Sequence, residues 1–280
     1  MKILFCINGS QYSFQVIKQI LPFLFPHYEI TLINVANSEN LDRAEPFSRN
    51  ILNEAKKVFE DNGYQIARIE VLSGDPAKAI LDFIAAEQYD LAILGSRSKK
   101  GIRNWLGSVS RKVVTKSPVP VLITKIAEEI KGSKRILIAA DESDYSSNAI
   151  KTMLNLINLE NSSVEVLTVM PGAESLPIEI RADKEWLEKS LARQKEITVE
   201  ILEKSKKLLE ENNIIPEKRL YLEGDPAEEI LNYAAENQKD LIVMGSHGRG
   251  GFSEFLLGSV SKRVLDNSAG SVLIVPLKYV

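Results

Sequence analysis

GDPAEEILNYAAENQKDLIVMGS, residues Gly224–Ser246, occurs earlier in the chain in closely similar form as GDPAKAILDFIAAEQYDLAILGS, residues Gly74–Ser96. In both segments a Gly-Asp-Pro turn precedes a helical pattern, and a continuously apolar run follows the helix. Such a run is typical of a parallel strand that is covered on both faces. The Asp and Pro residues stand where a helix N-cap and a first helical residue are expected. We therefore expect Asp75 and Asp225 to cap helices rather than to act as catalytic groups.

The similarity extends over both halves of the 280-residue chain. Two further pairs of segments match: KILFCINGSQYS from Lys2 with RILIAADESDYS from Arg135, and LGSVSRKVVTKSPVPVLIT from Leu106 with LGSVSKRVLDNSAGSVLIV from Leu257. A period this long indicates a duplicated domain rather than a solenoid. We place the two domains at residues 1–126, called repeat 1 below, and 134–280, called repeat 2. The polar segment AEEIKGS between them is the expected linker.

Each repeat reads as five strands that alternate with four helices. This alternation implies right-handed crossovers, so we predict an α/β fold with two tandem doubly wound parallel five-stranded sheets. The strands predicted in repeat 2 are Arg135–Ala140, Ser163–Val169, Lys218–Leu222, Leu241–Gly245 and Ser271–Pro276. The helices predicted there are Ser146–Leu156, Ala182–Asn212, Pro226–Glu236 and Ser259–Asn267.

Composition and charge narrow the classes of function. The net charge of −3 argues against a basic surface for nucleic acid. No apolar run approaches the ~20 residues that span a bilayer, and the opening residues lack the apolar length of a signal peptide. The single cysteine, Cys6, forms no internal disulfide and fits a reducing compartment. We expect a cytoplasmic protein that binds neither nucleic acid nor membrane.

A glycine-rich segment follows the fourth predicted strand of repeat 2. It reads MGSHGRGGFSEFLLGSVSKRV, from Met244 to Val264. Ligands of doubly wound sheets bind beyond the carboxyl ends of the strands, and glycines let the backbone approach a ligand closely. The helix that starts at Ser259 offers free N–H groups to an anion. The segment therefore predicts a phosphate site, with a flexible glycine loop and a serine cap as the alternative.

The spacing Gly245-x2-Gly248-x9-Gly258-Ser259 resembles the ATP-binding motif of the universal stress protein family, and the likeness covers both repeats. The resemblance implies an adenine nucleotide α-hydrolase-like, Rossmann-like fold and an ATP-binding stress-response or regulatory protein. It implies ATP as the ligand, with or without Mg²⁺. The site residues that it implies are Asp141 for adenosine, Val169 for adenine, Met244 and Gly245 beside them, and Gly248, Gly258, Ser259 and Val260 for ribose and phosphates.

Repeat 1 departs from this pattern. Asn8 stands where repeat 2 has Asp141, and the loop GSRSKKGIRNWLGS has Ser98 in place of Gly248 and one residue fewer before Gly107. A shortened loop with a side chain at a close-approach position should not follow phosphates in the same way. Three basic residues of this loop either attract an anion or form a solvated charged surface: Lys99, Lys100 and Arg103. We predict that repeat 1 does not bind ATP and is mainly structural.

Catalytic motifs do not stand out. The chain has no G-x-x-x-x-G-K-[ST] phosphate loop and no Ser/His/Asp or paired-carboxylate arrangement, so fast catalysis is not predicted. His247 contacts phosphate or is an ordinary loop residue. Two histidines and one cysteine, widely separated, predict no metal site. A slow ATPase or phosphotransferase, and a scaffold that binds no nucleotide, remain alternatives.

The last strands of the repeats, VPVLIT and GSVLIVP, have apolar edges that pairing would bury. Two domains on a short linker have a high effective concentration for each other, and the family resemblance implies pairing through these strands. We expect an internal pseudo-dimer, with homodimerisation of whole chains as a further expectation.

Repeat 2 is 17 residues longer than repeat 1 between its first strand and Gly224. We expect a loop over Pro171–Arg181, followed by a helix from about Ala182. Eight apolar residues are spaced for one face of that helix: Trp186, Leu187, Leu191, Ile197, Ile201, Leu202, Leu208 and Leu209. The loop leaves the ligand-binding end of the sheet, so it either covers the nucleotide as a lid or only packs on repeat 1.

Overall fold

The computed structural model describes residues 1–9, 11–36, 41–96, 106–125, 130, 132–248 and 256–277. The elements of repeat 1 are β1 (Lys2–Cys6), α1 (Gln11–Ile20), β2 (Glu29–Ala36), α2 (Leu41–Asp61), β3 (Ile66–Ser73), α3 (Pro76–Glu87), β4 (Leu91–Gly95), α4 (Ser108–Lys116) and β5 (Val121–Thr124). Those of repeat 2 are β6 (Lys134–Ala139), α5 (Asp144–Leu156), β7 (Ser162–Met170), α6 (Ile178–Ala182), α7 (Lys184–Glu210), β8 (Lys218–Glu223), α8 (Pro226–Glu236), β9 (Leu241–Gly245), α9 (Ser259–Asn267) and β10 (Ser271–Val275). Within the described residues, no helix is long and apolar enough to cross a membrane.

Each repeat forms a five-stranded parallel sheet with the doubly wound strand order. The order across the sheet is β3-β2-β1-β4-β5-β10-β9-β6-β7-β8. Neighbouring strands within a repeat are all parallel. The chain reverses its direction of winding between β1 and β4 in repeat 1 and between β6 and β9 in repeat 2. These two positions are where a doubly wound sheet opens a crevice for ligands.

The two five-stranded sheets are joined edge to edge. β5 pairs with β10 in antiparallel register, with Ile123 opposite Val272 and Val121 opposite Ile274. The predicted pairing of the last strands within one chain is therefore confirmed, and it produces a single ten-stranded sheet. Both apolar edges are buried by this contact.

Two hydrophobic cores cover the two faces of the sheet, and each runs through both repeats. One core packs β-strand residues such as Leu122 and Leu273 against α1, α2, α5 and α7. The other packs residues such as Ile123 and Val272 against α3, α4, α8 and α9. Strands that are covered on both faces need apolar residues at every position, which explains the continuous apolar runs in the sequence.

The Gly-Asp-Pro turns act as predicted. The Asp75 carboxylate accepts a hydrogen bond of 2.9 Å from the Lys78 amide, and Asp225 accepts one of 2.9 Å from the Glu228 amide. In both turns the proline is the first residue of the helix. The prediction that Asp75 and Asp225 cap helices is therefore confirmed.

The insertion of repeat 2 differs from its prediction. A single loop is wrong for Pro171–Arg181, because a 3₁₀ turn forms at Ala173–Ser175 and α6 begins at Ile178. The Asp183 side chain accepts hydrogen bonds from two amides of the next turn and so starts α7 as a separate helix. The predicted apolar face holds for Ile201, Leu202 and Leu209, which are buried, but not for Trp186, which is 61% exposed.

A buried polar cluster distinguishes repeat 2 from repeat 1. Lys239 Nζ lies 2.6 Å from Glu165 Oε2, and the Tyr233 hydroxyl donates to the same oxygen at 2.8 Å. Both charged side chains are at most 5% exposed. Burial raises the pKa of Glu165, but the hydrogen bonds from Lys239 and Tyr233 outweigh it, and the net shift is downward. The glutamate is therefore ionised and paired inside the fold.

We expect Lys239→Met to reduce the free energy of unfolding by about 3–5 kcal/mol at neutral pH, because it leaves the buried Glu165 carboxylate without its main counter-charge. Since the pKa of Glu165 is lowered on folding, its contribution to stability is present above the ordinary value of 4.5 and is lost as the pH falls through the lowered value. The difference between wild type and variant should therefore shrink in acid. Urea denaturation of both proteins as a function of pH measures this difference, and a pH-independent difference would contradict the assignment.

Candidate functional site

A cavity of about 360 Å³ lies beyond the carboxyl ends of β6, β7 and β9 and beside the first turn of α9. This volume is in the range of small-molecule sites. All eight residues that the sequence singled out line it: Asp141, Val169, Met244, Gly245, Gly248, Gly258, Ser259 and Val260. Residues more than 100 positions apart thus meet at the crevice between β6 and β9.

One wall of the cavity is apolar. Leu167 and Val169 come from β7, Met244 from β9, Ile230 from α8 and Ala139 from β6. All five side chains are buried, at 9% exposure or less. A flat apolar group, such as an aromatic base, is the kind of ligand fragment that such a wall accepts.

Asp141 stands at the rim of the cavity, two residues beyond β6. Its Oδ1 accepts hydrogen bonds from the amide and the hydroxyl of Ser143. The Ser143 hydroxyl in turn accepts from the Ser146 amide and caps α5. The orientation of the Asp141 carboxylate is therefore set by the start of α5, and its other oxygen, Oδ2, faces the glycine loop.

The described glycines of the loop are needed for close approach of the backbone, not for a left-handed conformation, because none of them has a positive φ. A Cβ atom at Gly248 would lie 2.5 Å from Asp141 Oδ2. A Cβ atom at Gly258 would lie 3.2 Å from both the Cα of His247 and the carbonyl oxygen of Ser246. Side chains at these positions would push the two ends of the loop apart. Arg249, Gly250 and Gly251 lie outside the described residues.

The first turn of α9 faces the cavity. The Gly258 amide donates to the Ser246 carbonyl at 2.9 Å, and the Ser261 hydroxyl donates to the Gly245 carbonyl at 2.9 Å, so the turn is tied to the end of β9. Gly258 occupies the N-cap position and offers no side-chain cap. The first-turn N–H groups are thus left for an anion, which the helix dipole also favours.

His247 lines the cavity beside Tyr145, with ring centroids 5.1 Å apart. Its Nδ1 lies 3.1 Å from the Ser246 hydroxyl. Burial lowers the pKa of His247 below its usual value. The ring is therefore neutral at physiological pH and adds no permanent charge to the cavity.

Repeat 1 has its own cavity, of about 550 Å³, at the equivalent place. Val35, Leu94, Gly107 and Ser108 line it as their counterparts line the cavity of repeat 2. At the position of Asp141 it has Asn8, whose Oδ1 accepts a hydrogen bond of 2.7 Å from the Ser13 hydroxyl. The described lining residues include no charged side chain. Ser98, Lys99, Lys100 and Arg103 lie outside the described residues.

The segment predicted as a lid, Pro171–Arg181, borders the cavity at one described residue. Of the described part of Pro171–Arg181, Pro171 lines the cavity. The segment therefore leaves the sheet at the rim of the site, as expected, while a covering role for the rest of it stays a prediction.

Sequence reasoning missed several residues of the cavity wall, among them Leu167, Ile230 and Ser261. Leu167 and Ile230 read as ordinary core positions of a strand and a helix. Leu167 lies two positions before Val169 in β7, so the strand period of two places both on the same face of the sheet. Which core positions border an open space depends on packing, and no local pattern records it.

Both halves of the chain match known proteins. The model of the universal stress protein family matches residues 1–125 and again residues 132–276. The chain belongs to the universal stress protein family. Universal stress protein MJ0531 of Methanocaldococcus jannaschii is 35% identical over 142 residues, which cover 51% of this chain and 81% of that protein.

Longer matches span both repeats of this universal stress protein. Universal stress protein Rv2005c of Mycobacterium tuberculosis is 25% identical over 237 residues, covering 83% of this chain and 77% of that one. The crystal structure of a universal stress protein from Archaeoglobus fulgidus superimposes with a TM-score of 0.71 at 23% identity, covering 99% and 98% of the two chains. This last likeness confirms the tandem α/β fold.

Gly245 and its counterpart Gly95 provide a matched pair of substitutions. A Cβ atom at Gly245 would lie 2.6 Å from the Cβ of Tyr145 and 2.9 Å from its backbone carbonyl carbon, whereas at Gly95 the nearest atom, in Val16, is 3.6 Å away. We expect Gly245→Ala to reduce the free energy of unfolding by about 1–3 kcal/mol, as for overpacking. Gly95→Ala should have little effect or stabilise slightly. Chemical denaturation of the two variants checks this contrast, and equal effects would show that α5 moves away from β9 at little cost.

Proposed function

We propose that this universal stress protein binds ATP in the cavity of repeat 2, one molecule per chain, and that binding serves a regulatory, stress-response role. The observation that carries the proposal is that the cavity combines an apolar wall, a carboxylate and an uncapped helix N-terminus within about 360 Å³. The apolar wall suits a base, the carboxylate suits the hydroxyls of a ribose, and the helix N-terminus suits a phosphate chain.

Each part of ATP has a matching part of the cavity. The adenine lies against Val169 and Met244, where removal of apolar area from water favours binding. The Asp141 carboxylate accepts hydrogen bonds from the ribose hydroxyls, with its direction set by Ser143. The phosphates lie along the glycine loop and bond to the first-turn amides of α9 and to the exposed hydroxyl of Ser259.

Repeat 1 serves as a structural partner in this proposal. Asn8 replaces the carboxylate with an amide whose oxygen is already engaged by Ser13. In repeat 2 the absence of a Cβ atom at Gly248 leaves room for Asp141 Oδ2. Repeat 1 has Ser98 and Asn8 at this pair of positions, so both members of the contact differ.

A slow ATPase or phosphotransferase is the second candidate function. Fast phosphoryl transfer needs positioned cations and an oriented nucleophile. The described lining of the cavity includes no lysine or arginine, which favours binding over turnover. Phosphate release at saturating ATP, with and without Mg²⁺, separates the two functions. A reducing, cytoplasmic location and homodimerisation remain predictions from the sequence.

Calorimetric titration of ATP should give one site per chain. Gly248→Val should weaken binding at least tenfold, because a β-branched side chain would occupy the space of Asp141 Oδ2 and hold the backbone away from the phosphates. Ser98→Gly, the reciprocal change in repeat 1, should leave the stoichiometry at one, since it does not restore the loop length.

Two equivalent sites, or no site, in the wild-type protein would refute the proposal. If the Gly248→Val variant unfolds cooperatively but keeps its ATP affinity, the phosphates do not bind at the glycine loop. Mass spectrometry of nucleotide released from the freshly purified protein identifies the bound base, and a nucleotide-free protein that also ignores added ATP would favour the scaffold alternative.

The insertion of repeat 2 should respond to the ligand if it is a lid. Saturating ATP should slow amide hydrogen exchange over residues 171–181, because Pro171 already borders the cavity. Residues 245–259 act as the internal control, since the bound nucleotide contacts them directly. Protection of the control segment alone would reject the lid and leave the binding site intact.

A further inference from the structure

Lys125 is a buried lysine that belongs to repeat 1 but contacts a helix of repeat 2. It follows β5 directly and is 2% exposed. Its ammonium group donates to the carbonyl oxygens of Leu265 at 2.8 Å and Ser268 at 2.6 Å. These carbonyls lie at the carboxyl end of α9, where a cation interacts favourably with the helix dipole.

A second contact from repeat 1 reaches the same end of α9. Arg111 Nη1 of α4 lies 2.8 Å from Asp266 Oδ2, and both side chains are partly buried, at 30% and 23% exposure. Burial lowers the pKa of Lys125 to about 8, while the charge of Asp266 opposes this shift. At neutral pH the amine is therefore mostly protonated, and two cations of repeat 1 face the last turn of α9.

The contact is not reciprocal: repeat 1 supplies the cations to α9, and among the described residues the equivalent positions of repeat 2 supply none to α4. In the duplicated sequence Lys125 corresponds to Pro276, and Asp266 corresponds to Thr115. Pro276 has no amine to offer to α4, and Thr115 bonds to the Arg111 carbonyl of its own helix at 2.8 Å. The repeat with the complete glycine motif receives these cations, and the repeat with the altered loop supplies them.

The other end of α9 borders the cavity. The helix has nine residues, which corresponds to a length of ~13 Å. Its first turn is tied to β9 through Ser261 and the Gly245 carbonyl, and its last turn is tied to repeat 1 through Lys125. A short helix held at both ends transmits a displacement of one end to the other, because its backbone hydrogen bonds resist bending.

We propose that Lys125 is a positioning residue for the phosphate-binding turn of α9, so that repeat 1 holds the ligand site of repeat 2 in its binding geometry. This inference rests on the ATP site proposed above. It assigns a role to the repeat that has lost the motif: the ligand affinity of repeat 2 depends on its pairing with repeat 1.

Lys134 offers a matched control. It is also buried, at 5% exposure, and its ammonium group also donates to two carbonyl groups, that of Pro22 in repeat 1 at 2.8 Å and that of Asn158 in its own repeat at 2.6 Å. Neither carbonyl belongs to α9. Lys125→Met and Lys134→Met therefore remove similar buried lysines that bridge the repeats, and only the first contacts the phosphate-site helix.

The test is calorimetric titration of the full chain with ATP, combined with amide hydrogen exchange of the ligand-free proteins. We expect Lys125→Met to weaken ATP binding about three- to tenfold and to speed exchange in the first turn of α9, with Lys134→Met close to wild type in both. Arg111→Gln, which replaces a partly exposed side chain, should act in the same direction but less strongly and covers the case in which Lys125→Met fails to fold.

Equal effects of the two Met variants, or no effect of Lys125→Met and Arg111→Gln on affinity and exchange, would overturn the inference. If the wild-type protein bound no ATP, the function proposed above would fail by itself. Exchange in α9 of the ligand-free variants would then still decide whether Lys125 holds the first turn of the helix.

Discussion

The antiparallel contact between β5 and β10 is the interaction on which the rest of the structure depends. It buries two apolar edges and makes both hydrophobic cores continuous across the repeats. Other polar contacts join the repeats elsewhere. The Tyr28 hydroxyl donates to the Leu156 carbonyl at 3.2 Å, and the backbone N–H of Asn158 donates to the Phe23 carbonyl at 2.9 Å. Because an unpaired edge strand is open to other chains, pairing within the chain also controls which partner the edge meets.

The duplicated halves have kept the same strand order and diverged in their polar groups. Repeat 2 buries a cluster of Glu165, Lys239 and Tyr233 that contains an ion pair. The corresponding residues of repeat 1 are Thr31, Tyr89 and Phe83, which are uncharged. Among them Tyr89 bonds to Thr31 and stacks on Phe83 at 5.7 Å. A buried ion pair needs every member of its network. The two repeats therefore reach comparable folds through different interior chemistry.

The candidate site depends on distances between backbone segments as much as on side chains. At Gly245 the first turn of α5 comes so close to β9 that a Cβ atom would meet Tyr145, and at Gly258 the two ends of the loop nearly touch. The polar groups that the described lining offers to a phosphate chain are backbone amides and serine hydroxyls, beside the Asp141 carboxylate and the His247 ring. Such groups hold a phosphate chain by direction and proximity, and they explain why the motif consists of glycines and small residues.

The sequence by itself determined the duplication, the α/β class and the strands of repeat 2 to within a residue or two, and its resemblance to the family supplied eight of the residues that line the cavity. It could do so because strand burial, helix caps and glycine spacing are local patterns with a physical meaning. It failed where position in the fold outweighs local preference. Trp186 has the spacing of a core residue but stays exposed, and the short helix α6 forms where a loop was expected.

Only the tertiary structure decided the antiparallel register in which β5 meets β10, that repeat 1 keeps an open cavity, and that Lys125 reaches the far end of α9. Each of these depends on contacts between residues far apart in the chain, for example 140 positions between Lys125 and Leu265. A lysine after an apolar strand reads as a solvated charge. It becomes a buried side chain at a helix end because the other repeat brings the carbonyl groups of Leu265 and Ser268 within hydrogen-bond distance of it.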